Sequence, residues 1–79
     1  MKPMAAMDPG EELYLERISE ELELDDEMMG FLDDSGLRPG ARVTLDRRDP
    51  HGALTIRVDG GARVGVGVFA SERLFVTAG

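Results

Sequence analysis

The sequence predicts a mostly β fold: a very small, strongly bent barrel with one short helix placed ahead of its central strands. Three observations predict it. Residues 36–58, GLRPGARVTLDRRDPHGALTIRV, run through helix stop, tight turn, strand, loop and strand almost without a gap. Apolar residues alternate from Ala41 onward, which is the period of a strand with one buried face. Just before them, residues 25–35 carry a capped apolar stripe at helical spacing. With 79 residues the chain makes one small domain, which buries only roughly 60% of its unfolded surface.

Taken in order, residues 1–12 hold Pro3, Pro9 and Gly10 and show no period, and they read as a mobile lead-in. Residues 13–24, LYLERISEELEL, fit two structures. Tyr14, Ile18 and Leu22 fall at i, i+4 and i+8, and Leu and Glu favour helix. Leu13 and Leu15 alternate with Tyr14 and Glu16, which fits an edge strand. Asp25 or Asp26 can cap the next helix, with Glu27 beside the positive end of its dipole. Met28, Met29, Phe31 and Leu32 form its apolar stripe, and Gly36 supplies the left-handed residue that ends it. The stripe reads as core over one end of the barrel, with an adaptable methionine-rich binding surface as the alternative.

Pro39-Gly40 is a tight turn, because proline fixes φ at its second position and glycine accepts the positive φ that follows. Strands are expected near 41–47, 53–58 and 62–67. Asp49-Pro50-His51-Gly52 separates the first two, and Asp59-Gly60-Gly61 is a hairpin signal between the others. Gly65 and Gly67 in RVGVGVF fit a bend in a tight barrel, or the close approach of another backbone. A short turn at Phe69–Glu72 leads to a last strand over 73–77. The expected core is Leu15, Met28, Phe31, Leu32, Leu37, Val43, Leu45, Leu54, Ile56, Val64, Val66 and Val76. On that reading Phe31→Ala costs about 3–5 kcal/mol.

Composition narrows the function. There is no cysteine, which removes disulfides, thiolate zinc sites and thiol catalysis. No apolar run approaches the roughly 20 residues of a membrane span, and MKPMAAMDPG lacks the apolar segment of a signal peptide. The net charge of −7 is uneven. Asp8 to Asp34 contains twelve acids against Arg17 alone, whereas Ser35 to Gly79 contains four acids and seven arginines. The acidic half opposes approach to nucleic acid or anionic lipid. Arg38, Arg42, Arg47, Arg48, Arg57, Arg63 and Arg73 read as a solvated barrel surface that offsets it, and direct nucleic-acid contact is not expected.

No catalytic pattern is present. His51, the single histidine, lies in a Pro-Gly loop with no orienting partner nearby in sequence. GVG alone is no phosphate or dinucleotide motif. Tyr14, Phe31, Phe69 and Phe75 do not alternate with basic residues in the manner of a base-stacking surface. The acidic run Glu16, Glu20, Glu21, Glu23, Asp25, Asp26 and Glu27 reads as a solvated face. Glu20 and Glu23 are the exception of interest, since they can converge on one side of a turn as part of a site for a hard or borderline divalent ion.

EMMGFLDDSGLRPGARVTLDRRDPHGALTIRVDGG, followed by a Phe-Ala turn and LFV, resembles the Src-homology-3-like barrel called the FeoA domain. That domain occurs alone as ferrous-iron transport protein A. It also forms the carboxy-terminal domain of diphtheria-toxin-repressor-type, metal-dependent regulators. The resemblance covers about residues 13–77 and is sharpest in FL-x3-GL-x-PG-x-x-V, here Phe31, Leu32, Gly36, Leu37, Pro39, Gly40 and Val43. It implies an SH3-like, five-stranded barrel over residues 13–77 with residues 13–19 as the first strand, and a single helix over about 26–35 between the first two strands.

The Phe-Leu spacing is more similar to the regulator version. The resemblance therefore implies a non-catalytic, cytoplasmic regulatory domain of an iron- or manganese-dependent repressor, docking on its own upstream domains or a proline-rich linker. Glu20 and Glu23 match the E-x-x-Q or E-x-x-E ligand positions of that family's ancillary metal site. They would give a partial Fe²⁺ or Mn²⁺ site in this chain. The alternative implied is a free-standing accessory protein that binds the cytosolic part of an iron transporter.

Overall fold

The computed structural model describes all 79 residues. The strands are β1 (Lys2–Pro3), β2 (Glu12–Ile18), β3 (Arg42–Arg48), β4 (Leu54–Val58), β5 (Arg63–Val66) and β6 (Leu74–Thr77). They form one antiparallel sheet in the order β1-β6-β2-β3-β4-β5. Three helices accompany them: α1 (Glu20–Glu23), α2 (Asp26–Asp34) and α3 (Val68–Ser71). The fold is mostly β and barrel-like, as expected, but it has six strands rather than five. The helical insertion between β2 and β3 is also two helices rather than one.

The sheet bends without closing into a ring, and β1 and β5 are its edges. One extra residue in each of two strands helps it bend. The β2–β6 register shifts between Leu15 and Arg17, and the β3–β4 register shifts between Leu45 and Arg47. Glu16 and Asp46 are thus bulged, and bulges increase local twist and curvature. Along each strand the alternation holds: Leu13 and Leu15, Val43 and Leu45, Leu54, Ile56 and Val58, and Leu74 and Val76 are all buried.

Local chemistry sets the joints. Asp25 accepts a hydrogen bond from the Met28 amide at 3.0 Å and caps α2. The helix ends when Gly36 turns to φ +76°. The Leu37 amide then reaches the Leu32 carbonyl at 2.8 Å, and the Gly36 amide reaches the Asp33 carbonyl at 3.1 Å. This paired closure is completed by the buried side chains of Leu32 and Leu37. Pro39-Gly40 turns the chain into β3, with the Ala41 amide donating to the Arg38 carbonyl at 2.9 Å. Asp59 and Gly60 both have positive φ at the centre of a tight turn, which the Gly61 amide closes by donating to the Val58 carbonyl at 2.9 Å.

Two expectations fail. The lead-in is not a loose tail over residues 2–7. Lys2 and Pro3 pair with Val76 and Phe75, and Met4 and Met7 are fully buried in the same cluster as the strands. Lys2 Nζ binds Glu11 at 3.0 Å, and the Asp8 amide donates to the same carboxylate at 3.1 Å, which folds the segment back onto β2. Among the expected core residues, Phe31 is 38% exposed, while Met28 and Val64 are only partly buried. Their places are filled by Met4, Met7, Leu13, Leu22, Ala41, Val58, Ala70 and Leu74. Phe31 lies outside because successive helical residues are rotated by about 100°. Leu32, Met28 and Met29 share the inner arc, and Phe31 falls beyond its edge.

Candidate functional site

The helical arm α1–α2 concentrates the features that could engage another molecule. Ser19 starts α1, and Leu22 is its only buried residue. Glu20, Glu21, Glu23 and Leu24 all face solvent, with Leu24 78% exposed at the junction of the two helices. On α2, Glu27, Gly30, Phe31 and Asp34 are exposed at spacing i, i+3, i+4 and i+7, which is one outward face. Asp25, Glu27, Met28 and Phe31 line an open depression beside it.

Glu20 and Glu23 are three residues apart on α1, so they are neighbours on one helix face and both are in water. Nothing else joins them: no three Asp, Glu or His side chains of the chain come together to hold an ion. The pair suits a hard divalent cation by donor type but supplies only a fraction of an octahedral shell. A complete site needs donors from a second molecule or from another part of a longer chain. Glu21 points elsewhere, with Oε2 3.2 Å from Arg73 Nε. That contact is ionic only, because Nε is not aligned to donate and has no hydrogen-bond partner.

Most of the arginines are occupied. Arg38 pairs with Asp33, Arg42 with Glu12, and both Arg57 and Arg63 with the bulged Asp46 at 3.5 and 2.7 Å. Arg73 lies 3.7 Å from the ring centre of Phe69, an exposed aromatic on α3, and donates to its carbonyl. The basic half is therefore laced with internal pairs, in keeping with a surface that offsets acidic charge. His51 is exposed in its loop, where its amide and that of Ala53 donate to Asp49 Oδ1 at 2.8 and 3.0 Å. Burial alone would raise the Asp49 carboxyl, but these donors outweigh it and hold it below the usual range. The arrangement fixes the loop through backbone amides.

Glu20 and Glu23 were legible as candidates, whereas Leu24 and Gly30 were not. The available signal for Leu24 is the cap at Asp25. It restarts the helix and so removes Leu24 from the stripe that continues through Met28 and Leu32.

No curated protein matches the chain at a significant level. Solved structures do. A crystal structure of an iron uptake regulatory protein (FeoA) is 29% identical and superposes with a TM-score of 0.76, over 95% of this chain and 92% of that one. A manganese-dependent transcriptional repressor, in complex with manganese, gives a TM-score of 0.82 at 24% identity. The match covers 98% of this chain but 36% of the repressor. The solution structure of a FeoA protein from Chlorobium tepidum gives 0.81 at 17% identity, over 96% and 69%. No helix of the chain is long and apolar enough to cross a membrane. The sequence profile of the FeoA domain matches residues 2–78, from the strand at the amino terminus to the end of the sheet, and the chain belongs to that family.

Proposed function

We propose that this chain is a non-catalytic regulatory module of divalent-metal homeostasis in the cytoplasm, which acts by docking on protein rather than on nucleic acid. In the first reading it is the SH3-like domain of an iron- or manganese-dependent repressor. There Glu20 and Glu23 lend carboxylates to an ancillary Fe²⁺ or Mn²⁺ site, and the barrel docks on upstream domains or a proline-rich linker. The observation that carries this reading is the half-site itself. Two exposed carboxylates sit one helical turn apart with no third ligand, an arrangement that makes sense when another surface completes it. A cation that binds only the docked state would then stabilise docking by mass action.

A second reading, a free-standing accessory of ferrous-iron transport that binds the transporter's cytosolic part, is favoured by one observation. The match to the FeoA crystal structure spans nearly the whole of both chains.

The metal role is tested by titrating the labelled chain with Mn²⁺ and following NMR line broadening, in the parent and in a Glu20→Gln/Glu23→Gln form. Weak broadening centred on residues 20–23 and abolished by the double substitution is the expected result. Broadening that spreads evenly over Asp25, Asp26 and Asp33 and ignores the substitution removes the role.

A further inference from the structure

We infer that the outward face of α2 around Gly30 and Phe31, with the exposed Leu24 at the junction that precedes the helix, receives a cationic amphipathic helix of a partner protein. The inference rests on the reading of this chain as a protein-docking module and names the face and the chemistry of what binds there. Single exposed apolar residues are ordinary on protein surfaces, so exposure alone would carry little. The setting is what distinguishes these.

Gly30 sits in the interior of α2, where glycine is an unfavourable choice because it loses the most backbone freedom on folding. Nothing in the chain requires it. Its φ is not positive, and a Cβ built there meets no atom within 4 Å. The space over Gly30 is open, and Phe31, the next residue of the helix, is exposed too. A bare backbone next to an aromatic anchor allows another helix to approach closely, an advantage that exists only in a complex.

Charge selects the occupant. Between Arg17 and Arg38 there is no basic residue and there are eight acids. Of these, Glu20, Glu23, Asp26, Glu27 and Asp34 form no ion pair, and Glu27 and Asp34 bracket Gly30 and Phe31 on the same helix face. Carboxylates this close repel one another, and lysine or arginine from a partner would relieve that repulsion. A second copy of the chain is a poor occupant, because six of its nine basic residues, Lys2, Arg38, Arg42, Arg57, Arg63 and Arg73, already pair with their own carboxylates. An added strand is excluded, since the arm presents no sheet edge. An amphipathic helix, with apolar anchors on one side and cations along its flanks, fits both the ridge and its border.

The test is a titration of the ¹⁵N-labelled chain with a synthetic Lys/Leu amphipathic helix, beside a scrambled peptide of the same composition. Shift changes confined to residues 20–34 are expected, with the scrambled peptide bound about tenfold more weakly. Leu24→Ser with Phe31→Ser should weaken binding by a similar factor, as should Gly30→Gln. The last is informative because glutamine is the better helix former, so the variant should melt higher while binding worse. Equal binding of the scrambled peptide, or indifference to these substitutions, reduces the arm to a diffuse negative surface and overturns the proposal. Self-association of the chain through residues 24–31 also overturns it, by giving the face to a second copy. Loss of peptide binding with Mn²⁺ broadening intact at Glu20 and Glu23 would remove this face and leave the metal role standing, and the reverse result would do the opposite.

Discussion

Arg48, the last residue of β3, donates from Nη2 to the carbonyl of Met7 at 2.7 Å and to that of Ala5 at 2.6 Å. One guanidinium thus satisfies two carbonyls of the turn that carries Met4 and Met7 into the core. Arg48→Ala should loosen that turn and cost about 1–2 kcal/mol, since hydrogen bonds to a charged donor are the stronger kind. Met4→Ala and Met7→Ala should each cost about 2–5 kcal/mol, as buried methionine truncations do. Urea unfolding measures all three. Losses under about 0.5 kcal/mol at both methionines would return the first residues to the status of a loose tail.

Phe31 and its neighbour Leu32 should separate sharply in the same assay. Leu32 is fully buried, and Leu32→Ala should cost about 2–5 kcal/mol. Phe31 is 38% exposed, so Phe31→Ala should cost about 1 kcal/mol, well under the 3–5 kcal/mol that a buried ring would imply. Equal losses would mean that the ring packs inward in solution.

Two substitutions in α2 should move stability in opposite directions. Gly30→Ala fills open space at a helix-interior position and should stabilise by about 0.5–1 kcal/mol. Asp25→Ala removes the side chain that caps the Met28 amide and should destabilise by about 1 kcal/mol. Thermal unfolding of both variants beside the parent gives the comparison directly.

Acid should weaken the fold at two identifiable points. The Asp8 amide, followed by the Lys2 ammonium, holds the Glu11 carboxyl below its ordinary value, and the loop amides do the same for Asp49 against the opposing effect of burial. A carboxyl whose pKa is lower when folded binds protons less readily than in the unfolded chain. Its contribution is complete above the unfolded value and is lost as pH falls below about 4. Glu11→Gln and Asp49→Asn should each flatten the decline in stability between neutral and acid pH. A pH profile unchanged by both substitutions would assign the decline to other carboxylates.

What the sequence made legible was its local chemistry. Asp25 as a cap, Gly36 as a helix stop, Pro39-Gly40 and Asp59-Gly60 as turns, and the alternating strands all depend on residues a few positions apart. The family resemblance corrected the one ambiguous segment, and Leu13 and Leu15 are buried in strand β2. The failures depend on distance. Met4 and Met7 carry no periodic signal, and only the pairing of Lys2 and Pro3 with Val76 and Phe75 brings them inside. Leu24 and Phe31 share the composition of the core, yet the helix break at Asp25 leaves Leu24 out and the arc that α2 turns inward leaves Phe31 out. Glu20 and Glu23 could be named from spacing, but whether anything completes them is a property of a second surface and is written nowhere in this chain.

The pairing of β1 with β6 also sets how the domain would answer to force. Lys2 stands opposite Val76 on antiparallel strands, so both ends of the chain leave from the same corner of the sheet. Tension applied between those ends would pull across the strands and load their hydrogen bonds one after another, in the manner of a zipper rather than in shear. The first bonds to part would be those of the two-residue strand, and Met4 and Met7 would follow it out of the core. A domain held this way is a weak mechanical link, and neighbours that tug on both of its ends would open it at the seam before they stretched anything else.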